Sequence, residues 1–204
     1  PYHSIEVRGA AQLHLNNGTQ PATLLITNQI QSLMDQDGIK AEVRDSVLYI
    51  ETSNHLPLDE IMIDFAITSP HLRQLTVYGA SKIATAENQG LAQPTPTLNL
   101  NGAAEAAMQL NVPTLTIDAK GASKLDLEGQ ANQAHITIAG AGEVEAEDLV
   151  AQVMHINCAG ASKAELNVVR ELWAQAAGAS HITYKGTPRI KQKMAVGGSI
   201  IRQD

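Results

Sequence analysis

Three carboxylates recur at nearly constant intervals along this chain: Asp126, Glu145 and Glu165. Two residues beyond each stand Glu128, Glu147 and Asn167. Carboxylates gathered in this way can hold Ca²⁺, or serve as the acid and base of glycan cleavage. No Asp-x-Asp or EF-hand spacing accompanies them, and Lys124 and Lys163 lie close by. The reading adopted is a solvated face with balanced charge. A second candidate is the pair His135 and His155, which occupy equivalent repeat positions with Thr116 and Trp173 on either side. Stacked imidazoles suit a transition metal, but no third ligand stands beside them, so surface histidines are expected. A third set supplies one polar residue per repeat: Thr76, Asn99, Asp118, Thr137, Asn157 and Gln175. It is either a row of ligand-facing hydrogen-bonding groups or a side-chain ladder between stacked strands; the ladder is the expectation. Cys158 occupies an inward, small-residue position and reads as a buried thiol, not a nucleophile. The chain carries no Ser-His-Asp set, no P-loop and no Gly-x-Gly-x-x-Gly turn. We assign no catalytic, cofactor-binding or metal-ligating residue. Asp126, Glu145 and Glu165 stand as the candidate cation ligands, with His135 and His155 behind them.

These residues fall into register because the chain repeats. Gly-Ala occurs at Gly9, Gly79, Gly102, Gly121, Gly140, Gly160 and Gly178, with steps of 23, 19, 19, 20 and 18 residues from Gly79 onward. Gly198, followed by Ser199, continues the series 20 residues beyond Gly178. Four and two residues before the glycine the positions are apolar, as in Ile136 and Ile138; four and six after it they are apolar again, as in Leu125 and Leu127. Period-two alternation on both sides of a glycine marks short strands with one buried face. A repeat of about twenty residues fits one turn of a β-helix, with equivalent residues of successive coils about 4.8 Å apart. Glycine permits the sharp corner, and the following alanine is expected to fit inside it. Three after the glycine the column reads Gln12, Lys82, Glu105, Lys124, Glu143, Lys163, His181. Alternating sign through five successive copies predicts parallel, in-register stacking, since like charges directly opposite would repel.

The fold class expected is all-β: a right-handed parallel β-helix with coils of about 20 residues and an irregular N-terminal β capping region. One domain spans 1–204, with less regular coils over 1–78, Gly-Ala repeats over 79–186 and a basic partial coil over 187–204. Within the N-terminal part, alternating runs at 22–27, 39–44, 47–52, 61–68 and 72–78 predict strands. A short helical turn is expected over 29–36, a tight turn at Asp37-Gly38, a loop over 54–59, and a loop insertion over 89–96. Uncapped ends would expose strand edges, so the irregular segment is expected to close the stack. Aromatic residues are only 3% of the chain, against 44% hydrophobic residues, which points to a narrow interior of aliphatic side chains. A net charge of −7 argues against binding the phosphate backbone of nucleic acids. No apolar run is long enough to span a bilayer as a helix. The single cysteine excludes an intrachain disulfide. Because the chain opens on Pro1 and not Met, a mature segment trimmed of a leader is expected.

The order Ser4-Ile-Glu-Val-Arg-Gly-Ala, Ser46-Val-Leu-Tyr-Ile-Glu, Pro70-His-Leu-Arg-Gln-Leu-Thr-Val-Tyr-Gly-Ala-Ser, then serial Gly-Ala-Ser coils, resembles the DUF2807 family of bacterial proteins, the "putative auto-transporter adhesin, head GIN domain". The closing Tyr184-x-Gly186-x-Pro188 is the most specific element, and Gly-Ala-Ser stands where the family usually has Gly-Ser-Gly. The resemblance implies a β-helical fold and an exported protein of the periplasm, outer membrane or cell surface. It carries over no functional residue and no cofactor. The function expected is a non-enzymatic exported envelope or surface protein, a scaffold or adhesin-like binding module for a protein or glycan. The alternative is a polysaccharide-binding or polysaccharide-processing β-helix enzyme working through the acidic strip. Long flat sides also suit packing into a homo-oligomer.

Overall fold

The computed structural model describes residues 2–16, 18, 23–26, 38–52, 63–69, 71–85, 91 and 96–203. The turns and loops expected over 29–36, 54–59 and at Asp37 lie outside these residues, as does the 89–96 insertion apart from its residues 91 and 96. The chain is an all-β parallel solenoid of about six turns, each about 19 residues long. No helix among the described residues is long and apolar enough to cross a membrane.

The regular coils are β10 (Glu105–Gly121), β11 (Lys124–Gly140), β12 (Glu143–Gly160) and β13 (Lys163–Gly178), each pairing in parallel with the next. Below them β7 (Gln74–Gly79), β8 (Lys82–Thr85) and β9 (Thr97–Gly102) complete earlier turns. Above them β14 (His181–Lys185), β15 (Arg189–Val196) and β16 (Ser199–Arg202) finish the stack. The predicted charge column is realised residue for residue: Gln12 pairs with Lys82, Lys82 with Glu105, Glu105 with Lys124, Lys124 with Glu143, Glu143 with Lys163, and Lys163 with His181.

The inward columns form one aliphatic core. Leu98, Ile117, Ile136 and Ile156 stack in one line, and Leu100, Ala119, Ile138 and Cys158 in the next, all nearly inaccessible to water. Each fully buried leucine, isoleucine or valine contributes about 1.5–3 kcal/mol. Aliphatic and other small side chains of mixed size fill the narrow interior, and Phe65 is the one phenylalanine within it.

The glycine corner is tighter than a sharp bend alone requires. Gly140 has φ +126°, and a Cβ placed on it would lie 2.4 Å from the carbonyl oxygen of Gly121 one coil below. The same close approach links Gly79 to Gly9, and Gly160 to Gly140. The alanine that follows does not fill the corner: Ala103, Ala122, Ala141, Ala161 and Ala179 are exposed. The next residue turns inward instead. Ser81, Ser123, Ser162 and Ser180 are buried, and Ala104 and Gly142 take the same place in their coils. Ser162 Oγ donates to the Gly140 carbonyl at 3.3 Å and Ser180 Oγ to that of Ala177 at 2.8 Å, so these two serines fasten their corners, whereas the buried Ser123 Oγ makes no such bond. In the last coil it is Gly197, φ +79°, that stacks on Gly178, and Gly198 sits against Ser180. The eighth corner therefore lies one residue earlier than the Gly198 spacing predicts.

The N-terminal part departs from simple succession. β1 (Ser4–Arg8) lies between β7 and β5 (Val47–Thr52), and β2 (Ala11–Asn16) lies between β8 and β6 (Ile63–Thr68). The segment carrying β5 and β6 thus forms the rung beneath the first, and the chain then crosses back to continue at β7. β4 (Ile39–Arg44) and β3 (Thr23–Ile26) add to this lowest rung as antiparallel strands. Thr52 serves where a lower glycine corner would be: its Oγ1 accepts from Ala10 N at 2.9 Å. β4 is an edge strand carrying Lys40, Glu42 and Arg44, the charge pattern that blunts edge-to-edge pairing.

Candidate functional site

The solenoid presents two chemically different sides. The side after the glycine corner carries the charge. Asp126 pairs in register with Glu145 and Glu145 with Glu165, so the three acids of the strip are direct neighbours in successive coils. Lysines pair with two of them: Lys124 Nζ lies 3.0 Å from Glu145, and Lys163 Nζ 2.9 Å from Glu165 and 3.5 Å from Glu143. The side-chain hydrogen bond to Glu145, then its charge, raises the Lys124 pKa, and Glu165 acts likewise on Lys163. Lys124 thus reaches diagonally and not to its direct neighbour Glu143. Such exposed pairs are screened by solvent and add little to stability. The second acidic column does not form. The register slips between Asp126 and Gly129 and again between Ala146 and Val150. Glu147 is instead held by Lys185 at 3.0 Å, while its backbone carbonyl accepts from Asn167 Nδ2. Among the described residues no group of three or more His, Cys, Asp or Glu side chains is placed to hold a metal ion.

The side before the corner is mostly uncharged. His135 and His155 stack at 4.6 Å between ring centroids, and His155 stacks on Trp173 at 4.2 Å with only 10° between planes. Lys191 Nζ lies 6.0 Å from the Trp173 centroid and 3.4 Å from Glu171. Burial lowers the His155 pKa most, the neighbouring His135 lowers it further, and Glu171 opposes both. The near-parallel rings direct their in-plane lone pairs along separate planes, so the pair is an aromatic stack and not a shaped chelate. Cys158 is fully buried in the core, and burial pushes its thiol up to about 12, far from a nucleophile's range.

Between these features runs the polar column. Glu6, Thr76, Asn99, Asp118, Thr137, Asn157 and Gln175 pair in unbroken succession. A side-chain ladder forms only at its lower end, where Asn99 Nδ2 donates to Thr76 Oγ1 at 3.3 Å. Among the described residues, the side chains of Thr137, Asn157 and Gln175 bond to no other protein group. Beside the lower end, Tyr78, Asn101 and Lys120 form the next outward column, and a hollow of about 280 Å³ opens between the two. The uncommon feature of this side was visible in the sequence as one polar residue per repeat. Its freedom from internal partners was not, because short side chains about 4.8 Å apart reach their neighbours only in some rotamers.

A family model described as "Putative auto-transporter adhesin, head GIN domain" (DUF2807) matches residues 1–188. Among solved structures, a "putative adhesin" from Bacteroides fragilis is 23% identical and superposes with a TM-score of 0.86, covering 99% of this chain and 92% of that one. A "putative adhesin" from Parabacteroides distasonis is 19% identical, with a TM-score of 0.70 over 99% and 92% of the two chains. A "putative lipid binding protein" from the same species is 17% identical, with a TM-score of 0.65 over 100% and 93%. At these identities the likeness is one of fold. No curated protein matches the chain.

Proposed function

Because the chain belongs to the DUF2807 family, we propose that this adhesin-like surface protein is an exported, non-enzymatic binding module that meets its partner through the side before the glycine corner. The observation that carries this reading is the free polar column: Thr137, Asn157 and Gln175 stand in register with no protein partner for their side chains. Hydrogen-bonding groups whose backbone is already fixed in a sheet bind at a lower entropic cost than groups on a loop. On the other side Glu145 and Glu165 are each engaged by a lysine. The net charge of −7 disfavours nucleic acid as a partner, and family membership supports a protein or glycan at the cell surface.

The test is an array of surface glycans and extracellular-matrix proteins probed with the bead-displayed protein. Adhesion to at least one class is expected. Asn157→Arg combined with Gln175→Arg should abolish it, and Glu145→Lys should leave it intact. Uniform failure of the wild-type protein to bind, or equal loss in the Glu145→Lys variant, would refute the reading.

A further inference from the structure

The lower half of the same side holds a hollow of about 280 Å³, lined almost entirely by polar groups. It exists because the middle column is short there. Thr76, Asn99 and Asp118 sink between Gln74 on one flank and Tyr78 and Lys120 on the other. Its formal charges are matched within single strands. Arg8 binds Glu6 at 2.8 Å and Lys120 binds Asp118 at 3.1 Å. No excess positive charge is therefore available for a phosphate, sulfate or carboxylate ligand. What the hollow does offer is unspent hydrogen-bonding capacity. Asp118 uses Oδ2 for Lys120, while its Oδ1 is buried and has no partner. Asn99 spends one N–H on Thr76, which leaves its second N–H and its carbonyl oxygen free, and the Asn101 amide bonds to no protein group. Tyr78, 43% exposed, stands beside these groups, with the Arg8 guanidinium 5.5 Å from its ring centroid.

We propose that this hollow is a binding site for a neutral saccharide. One hydroxyl of a vicinal pair donates to the accessible Oδ2 of Asp118, a carboxylate oxygen that can accept it beside Lys120, the second accepts from the amide of Asn99 or Asn101, and the Tyr78 ring meets an apolar C–H edge of the sugar. A hydroxyl pair suits the site because it can donate and accept at once, which neither an anion nor an apolar ligand does. Uronic acids are disfavoured, since Glu6 and Asp118 would face their carboxylates. The rungs repeat every ~4.8 Å along the axis, and the column continues upward as Thr137, Asn157 and Gln175. An extended oligosaccharide lying along the solenoid would thus meet a fresh polar group at each rung. The proposal rests on the reading that this side is the contact surface, and it names the ligand class.

Isothermal titration with cellotetraose, mannotetraose and maltotetraose, set against tetragalacturonate, tests it on the whole chain. At least one neutral tetrasaccharide should bind. Asp118→Ala should weaken that binding about tenfold and Asn101→Ala about fivefold, as loss of hydrogen bonds to the ligand predicts. Glu145→Ala on the opposite side should change nothing. Asn101 makes no internal side-chain bond, so its variant keeps the test valid should Asp118→Ala lower the melting temperature. Saccharide binding unchanged by both hollow variants would overturn the site while leaving the contact surface standing. Preference for tetragalacturonate would overturn the ligand class. Failure of all three neutral probes, with side-dependent adhesion to a matrix protein intact, would overturn the saccharide proposal alone.

Discussion

Replacing Gly140 with alanine is expected to be among the most damaging single-methyl changes in the molecule. Two effects add. At φ +126° an L-residue is held in a region costing on the order of 1–3 kcal/mol. The new Cβ would also lie 2.4 Å from the Gly121 carbonyl oxygen and 3.1 Å from its carbonyl carbon and amide nitrogen. These are backbone atoms of the coil below, so no rotamer change relieves the contact, and the two coils must separate locally. Forced expansion of a packed interface costs about 1–3 kcal/mol. The sum, about 2–6 kcal/mol, is a large share of the roughly 5–15 kcal/mol that holds a typical domain folded. Gly142→Ala supplies the control in the same corner. Gly142 is not in the left-handed region, its new Cβ meets the Ile138 Cγ2 methyl first at 2.6 Å, and Ala104 fills the equivalent place in another coil. That variant lacks the backbone strain and should lose about 1–3 kcal/mol from the Ile138 contact alone, less than Gly140→Ala. Urea unfolding followed by far-UV circular dichroism reads the whole stack, and the fluorescence of Trp173, the single tryptophan, reads the upper coils. Both probes are needed because stacked repeats can unfold in parts. A loss below about 0.5 kcal/mol for Gly140→Ala, or a larger loss for Gly142→Ala, would show that backbone approach between corners is not what requires glycine.

Other consequences are open to equally direct checks. Thr52→Val leaves the Ala10 amide at the lowest corner without its acceptor and should cost about 1–2 kcal/mol by urea unfolding. The Trp173 fluorescence should report protonation of the stacked His155. Since burial and His135 depress the His155 pKa, the fluorescence transition should fall below the ordinary value of 6.5, move upward in His135→Gln, and vanish in His155→Gln. A histidine held neutral in the fold takes up protons more readily when unfolded, so this interaction favours folding above about pH 6.5 and is lost as pH falls. Burial raises the Cys158 thiol from 9.0 to about 12 and the Tyr2 phenol from 10.0 to about 12. Above pH 9 the unfolded chain loses these protons first, so stability should decline from about pH 9 to pH 12, less steeply in Cys158→Ala; the native thiol should resist iodoacetamide at pH 8.

The regular coils were legible from residue types alone because each is built by local rules. A parallel stack repeats one environment per column, so the columns show in the sequence as recurring residue classes: apolar inward, lysine and glutamate alternating outward, glycine at the corner. The Lys82–His181 column gave the register directly, since each residue meets its equivalent one coil away. Three things needed the tertiary structure. Which small residue fills the corner was one: the alanine is constant but exposed, whereas the varied Ser, Ala or Gly after it points inward. The order of the lowest rungs was another. β5 and β6 run beneath β1 and β2, and sequence succession cannot show this, because a rung's alternation is the same whichever open edge it joins. The last was the difference between the two sides. Acids and amides recur with the same period along the chain, yet long Lys124 and Lys163 side chains satisfy Glu145 and Glu165, while Asp118 Oδ1, Thr137, Asn157 and Gln175 stay unpartnered. Spacing determines which residues are neighbours around the regular glycine corners; slips in register and the rung order decide the rest, and side-chain length and rotamer decide which neighbours bond and which are left to face a ligand.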